Sequence, residues 1–103
     1  MTRVYRLILW PEVELEIAET VDWYESQEKG LGRKFLTQFR AATARLRRTP
    51  YHYQIIEERA RRVVLHRFPY GVFFEIHDVD VVILACLHTS RDPVAWRERI
   101  TRR

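Results

Sequence analysis

The sequence predicts an α+β domain with the element order β-α-α-β-β-β-β, an antiparallel sheet carrying a helical hairpin packed on one face. Three observations lead there. Between Val13 and Leu46 the apolar residues recur every three or four positions, the helical period. From Arg61 to Pro93 apolar and polar residues alternate with a period of two, the strand period, and the run is broken twice by turn residues. The two helical stretches also differ in charge: Pro11 to Glu28 holds seven acids and no Lys or Arg, whereas Lys29 to Arg48 holds seven Lys or Arg and no acid.

Each element has a local reason. Arg3 to Trp10 (RVYRLILW) is rich in β-branched and aromatic residues and reads as a strand. Pro11 suits a first helical turn, where its missing N–H would have no partner, and Glu12, Glu14 and Glu16 favour the positive end of a helix. Val13, Ile17, Val21 and Tyr24 form the apolar stripe of that helix, which should stop at Gly30. Leu31-Gly32 reads as a tight connector. Phe35, Leu36, Phe39, Ala42 and Leu46 mark a second helix, ended by Pro50.

Tyr51 to Glu58 reads as a loop entering a short strand, and Arg59-Ala60-Arg61-Arg62 as a basic turn. Val63 to Phe68 is the next strand, with Val63, Leu65 and Arg67 on one face; Pro69-Tyr70-Gly71 breaks it. Val72, Phe74 and Ile76 share a face of the strand that follows, and Asp78-Val79-Asp80 turns the chain again. Val81 to Leu87 is apolar on both faces, as in a central covered strand. Two helices do not cover both sides of a sheet, so the face carrying Phe73 is expected to be shallowly curved or to meet another chain. The tail WRERI should form one helical turn, and Thr101 to Arg103 should fray.

At 103 residues, 47% hydrophobic, the chain suits a single domain spanning 1–103. The lone Cys86 excludes an internal disulfide and reads as a small buried hydrophobe in a reducing compartment. No apolar run reaches a membrane span, and the start MTRVYRLILWPE is too short and too soon acidic for a signal peptide, so a cytoplasmic protein is expected. The net charge of +4 hints at an acidic partner. The charge split has two readings: it orients the hairpin, or it leaves a basic outer face on the second helix.

The chemistry on offer is sparse. There is no phosphate-loop glycine pattern, GxSxG elbow, CxxC pair or HExxH helix. His66, His77 and His88 are equally spaced and could meet across strands, but their spacing is unlike that of structural zinc sites, so no metal or cofactor is expected. His88 is followed by Arg91 and Asp92; the acid could orient either side chain for work on a carboxylate or phosphate, or the cluster is a polar latch closing the last strand. Arg59, Arg61, Arg62 and Arg67 with Tyr70, Phe73 and Trp96 mix cations and aromatics, as an RNA surface does, or as a basic sheet edge that meets an acidic protein does.

Tyr5-Arg6-Leu7-Ile8-Leu9 before Pro11-Glu12, Arg67-Phe68-Pro69-Tyr70 before Val72-Phe73-Phe74, and Leu87-His88 before Arg91-Asp92-Pro93 together resemble the RelE/ParE superfamily of type II toxins, also called plasmid stabilisation proteins. The resemblance covers essentially the whole chain and implies two activities. RelE-like members are ribosome-dependent mRNA endoribonucleases, whose base and cations would fall here on Arg62, Arg67 and His88. ParE-like members are not nucleases and poison DNA gyrase. The arginine that ribonuclease members carry before the Val-Phe-Phe core falls at Gly71, and Thr89-Ser90 stands where their terminal tyrosine would be, so the ParE-like branch is favoured and an enzyme is not. Arg61, Arg62, Arg67, Tyr70, His88 and Arg91 are then candidates for target or partner contact. The resemblance also implies a cognate antitoxin, for which Arg40, Arg45, Arg47 and Arg48 on the second helix are docking candidates. An inactive, toxin-like interaction module is the third possibility.

Overall fold

The computed structural model describes residues 4–101. Strand β1 (Arg6–Leu9) leads into helix α1 (Pro11–Gln27), then α2 (Leu31–Arg48), β2 (Ile55–Glu57), β3 (Ala60–Val64), β4 (Tyr70–His77), β5 (Asp80–His88) and α3 (Pro93–Thr101), with a single 3-10 turn at Pro50–His52. The five strands form one sheet in the order β1-β5-β4-β3-β2. The β2-to-β5 meander is antiparallel, as expected, but β1 pairs with β5 in parallel, Arg6 opposite Asp80 and Leu9 opposite Ile83, so the sheet is mixed. A parallel pair needs a long connection rather than a tight turn, and everything from Trp10 to Val79 supplies it. The Arg3 end of the expected first strand lies outside the described residues, as do Arg102 and Arg103.

Pro11 begins α1 at its first position, with Glu12 and Glu14 in the first turn. The hairpin is tight because of two glycines. Gly30 takes φ +87° ahead of α2, and the Glu25 carboxylate accepts hydrogen bonds from the N–H groups of Gly30 (2.8 Å) and Gly32 (3.0 Å). A Cβ on Gly32 would lie 2.6 Å from the carbonyl oxygen of Val21, so only glycine allows the two helices this approach. Leu31 and Gly32 are therefore the first residues of α2 rather than the connector; a side chain capping α2 has no local period to read.

On the hairpin face, Val13 and Ile17 of α1 and Phe35, Phe39, Ala42 and Leu46 of α2 bury themselves against Val63, Val72, Phe74, Val81 and Ile83 of the sheet. The basic turn is confined to Glu58-Arg59, since Ala60 to Arg62 already belong to β3. That strand ends at Val64 rather than Phe68: Arg67 adopts φ +71°, which no strand tolerates, and both Leu65 and Phe68 turn inward to the hairpin core. Tyr70 and Gly71 open β4 instead of breaking it.

The opposite face departs most from expectation. The tail is not one turn but the nine-residue α3, begun at Pro93 and capped by Asp92 Oδ1 on the Val94 N–H at 2.9 Å. Ile100 is fully buried on Ala60, Phe73, Leu84, Ala85 and Leu87, and Trp96 stacks on Phe73 with centroids 5.3 Å apart. The Phe73 face is thus covered by this chain's own third helix. Thr101, expected to fray, closes α3 with its hydroxyl on the Arg97 carbonyl, 2.9 Å away.

A β-bulge on β5 sets the geometry of the rest. Phe73 pairs with Ala85 and Phe74 with Ile83, leaving Leu84 as the extra residue. The bulge switches the face of every later residue, so Cys86 and His88 point to the hairpin and Leu87 to α3.

Candidate functional site

The arginine and histidine candidates do not converge. Arg61 and Arg62 are successive residues of a strand and point to opposite faces. Arg61 lies 5.1 Å over the Tyr51 ring and donates to the Tyr53 carbonyl, which ties it to the 3-10 turn on the hairpin side. Arg62 extends along the α3 face, its guanidinium 6.0 Å from the Phe73 centroid. Its stem runs above Gly71, where a Cβ would come within 3.1 Å of Arg62 Cδ. Arg97 stands 5.2 Å over Trp96 and bonds Glu57 at 2.8 Å, completing a ladder of cations and rings that docks α3.

His88 is on the other face. Its ring meets Tyr70 edge-on at 5.2 Å, and Tyr70 in turn packs on Tyr24 and Phe35. The Ser90 backbone N–H points at His88 Nδ1 from 3.0 Å, and the Ser90 hydroxyl is 2.7 Å from the same nitrogen. A nitrogen facing an N–H must accept, so a neutral His88 carries its proton on Nε2 and offers a donor there rather than a base. Asp92, the expected orienting acid, instead caps α3. Arg91 shares with His88, Glu16, Glu19 and Thr20 a polar cavity of about 140 Å³. His77 sits at the far end of the sheet opposite Asp80 and bonds Glu75 at 2.7 Å, so the three histidines do not meet. Among the described residues no cluster of three or more His, Cys, Asp or Glu has the form of a metal site.

Arg67, in the β3–β4 loop, rims a cleft of about 670 Å³ with Arg33 and Lys34 from the first turns of α2; Tyr24, Leu31, Phe68 and Pro69 line it. Burial, followed by the neighbouring Tyr70, raises the Tyr24 phenol above its ordinary pKa and keeps it neutral. Arg33 and Lys34 were visible in the sequence only as part of the basic run; nothing local told them apart from the other five cations. A second groove of about 770 Å³ adjoins it along the hairpin, sharing Arg33 and Thr37 and reaching Arg40. Farther along α2, Arg45 and Arg48 are exposed, while Arg47 Nε donates to the Tyr5 carbonyl at 2.9 Å.

Three acids of α1 serve the fold. Glu25 caps α2, and Glu12 and Glu16 pair with Arg99 of α3. Arg99 reaches them past the end of β1, also donating to the Leu84 carbonyl at 3.0 Å, while Glu16 Oε1 accepts the Cys86 N–H at 3.3 Å.

Residues 7–93 match the model of a family described as the ParE toxin of type II toxin-antitoxin system, parDE. The chain belongs to the ParE toxin family. Among solved structures it is similar to one titled "Chromosomal ParDE TA system from P. aeruginosa", with a TM-score of 0.75 and 13% identity over 84% of this chain and 98% of that one. At that identity the likeness shows the fold. A search of curated proteins found no match. The expected RelE/ParE resemblance therefore holds, on its ParE side, and the match ends at Pro93, the first residue of α3. None of the described helices of this ParE family member is long and apolar enough to cross a membrane.

Proposed function

We propose that this ParE family chain is the toxin of a toxin–antitoxin pair that acts by binding DNA gyrase, not by cutting RNA, and that a cognate antitoxin neutralises it. One observation carries the choice between the two activities. Arg62 and His88, two of the three residues a ribonuclease would need together, stand on opposite faces of the sheet, and Arg67 lies apart in a loop. Metal-free phosphodiester cleavage requires a base and cations around one phosphate. His88, with Nδ1 engaged by Ser90, offers no base on its free side.

The exposed cations Arg40, Arg45 and Arg48 support an acidic antitoxin segment along α2, and Arg91 with Tyr70 and His88 supports a target contact at the His88 end of the sheet. Purified protein added to gyrase in a supercoiling assay should inhibit it at micromolar concentration. Undiminished supercoiling would sink the gyrase reading. Primer extension on mRNA after brief induction checks the other activity: discrete cuts within codons would show a ribosome-dependent ribonuclease. Growth that continues at full rate with folded toxin present would leave an inactive interaction module.

A further inference from the structure

Trp10 and Trp96 pack against the core, but Trp23 of α1 is 56% exposed and is tied to the fold through an edge-on contact with Tyr24, 5.0 Å between centroids. It does not stand alone on the surface. Leu15, Glu19 and Trp23 follow one another at four-residue steps, so they share one stripe of the helix, and all three are exposed. Trp23 also begins a chain of ring contacts that runs through Tyr24 and Tyr70 to His88, and these four residues line a groove of about 440 Å³. Tyr70 and His88 belong as well to the polar cavity of about 140 Å³ that Glu19 and Arg91 line, so groove and cavity adjoin. A single exposed apolar residue is ordinary. An exposed tryptophan opening onto a groove with polar groups at one end has the make-up of a docking surface.

The charges at that end are unused. Glu19 and Arg91 line the same cavity with opposite charges, yet among the described residues neither side chain makes an ion pair or a hydrogen bond. The Nε2–H of His88, on the side away from Ser90, is a third group without a partner. Together they call for an accepting oxygen at Arg91 and His88 and a cation at Glu19. Nucleic acid fails this demand, because its backbone brings only negative charge to a helix whose span from Pro11 to Glu28 holds seven acids and no Lys or Arg. An acidic antitoxin segment is repelled by the same acids. A protein surface of mixed charge meets it. Resting on the gyrase reading above, we infer that this surface holds the target, with Trp23 as its anchor. An apolar side chain of the target settles against the ring chain, a carboxylate meets Arg91 and His88, and a basic residue meets Glu19. The contact of Arg91, Tyr70 and His88 thereby extends onto α1, to a tryptophan that no charge or spacing in the sequence singled out.

The test uses the full chain in the gyrase supercoiling assay, with calorimetry against the product of the reading frame beside its gene as a second readout. Trp23→Ala should raise the concentration that gives half-inhibition by about thirty-fold or more, and Arg91→Glu by about ten-fold. Glu98→Lys, a charge change at an exposed position of α3 outside this surface, should stay within about three-fold. Affinity for the neighbouring product should stay within about three-fold in all three variants, and circular dichroism confirms a native fold in each. A wild-type chain that leaves supercoiling undiminished removes the gyrase reading, and this surface with it. Inhibition by the wild type that is matched by either Trp23→Ala or Arg91→Glu overturns the surface alone. Parallel loss of inhibition and of binding to the neighbouring product gives the face to the fold or to the antitoxin, and overturns the surface as well.

Discussion

Glu16 of α1 and Arg99 of α3 grip the same stretch of β5 from opposite faces of the sheet, and their side chains meet at its rim. Strand β1 ends at Leu9 beside Ile83, and the Trp10 N–H makes the last contact to the Ile83 carbonyl at 3.4 Å. Beyond that point Leu84 C=O and Cys86 N–H face outward with no strand to bond them. Arg99 takes the first and Glu16 the second, so an ion pair does the work of the missing strand.

Removing either partner leaves the other charge and one backbone group without compensation. Arg99→Met is expected to lower stability by about 1–3 kcal/mol, and Glu16→Gln by less, because an amide oxygen still accepts from Cys86. Urea titration of the two single variants and the double variant gives the coupling between them. Additive losses would mean that the pair is not a unit.

The two hairpin glycines should respond differently to alanine. Gly32→Ala forces a Cβ against the Val21 carbonyl and must part the helices, at about 1–3 kcal/mol. Gly30→Ala meets nothing within 4 Å and is limited to the cost of φ +87°, about 1 kcal/mol. Thermal melts that rank them the other way would contradict the close approach seen here.

Ile100 tests whether α3 is an integral layer. It is fully buried, and Ile100→Ala is expected to cost about 2–5 kcal/mol, against a change within about 0.5 kcal/mol for the exposed Val94→Ala at the start of the same helix. Hydrogen exchange in the first variant should rise in α3 and in β5 together. A rise confined to α3 would show a helix merely resting on the surface.

Cys86 gives the pH prediction. Burial, with the nearby Glu16 charge adding to it, pushes its thiol from 9.0 up to about 12. The folded state therefore keeps a proton that the unfolded chain loses above its ordinary value. Stability falls as pH rises from about 9 towards 12, with a limiting slope of about 1.4 kcal/mol per pH unit that Cys86→Ala lacks. Denaturant titrations of the two proteins across that range measure the difference, and parallel curves would refute the assignment.

Much of this was legible in the sequence. The hairpin stripes, Pro11, and the alternation of Val72, Phe73 and Phe74 each obey a local period, and the core follows it. The misreadings cluster where a distant residue overrides a local rule. β1 pairs with a strand whose first residue lies 74 positions away, which no window detects. WRERI reads as one helical turn, yet Trp96 and Ile100, four residues apart, are what α3 buries on the sheet. The Arg61, Arg62 and Arg67 cluster dissolves because a strand sends neighbours to opposite faces and a left-handed residue turns the loop. Conversely, the Arg33, Lys34 and Arg67 rim exists only once the hairpin is packed against the β3–β4 loop.

The parallel pairing of β1 with β5 has a kinetic consequence. The β3–β4–β5 meander closes through short turns, while β1 must wait for the ends of a very long loop to meet. Until it does, β5 is a border strand whose lower half, from Asp80 to Ile83, displays unpaired amides to any extended chain nearby. Order of assembly, rather than final stability, then decides whether the nascent protein completes itself or is intercepted by another strand, and a partner already present at synthesis has its best opportunity in that interval.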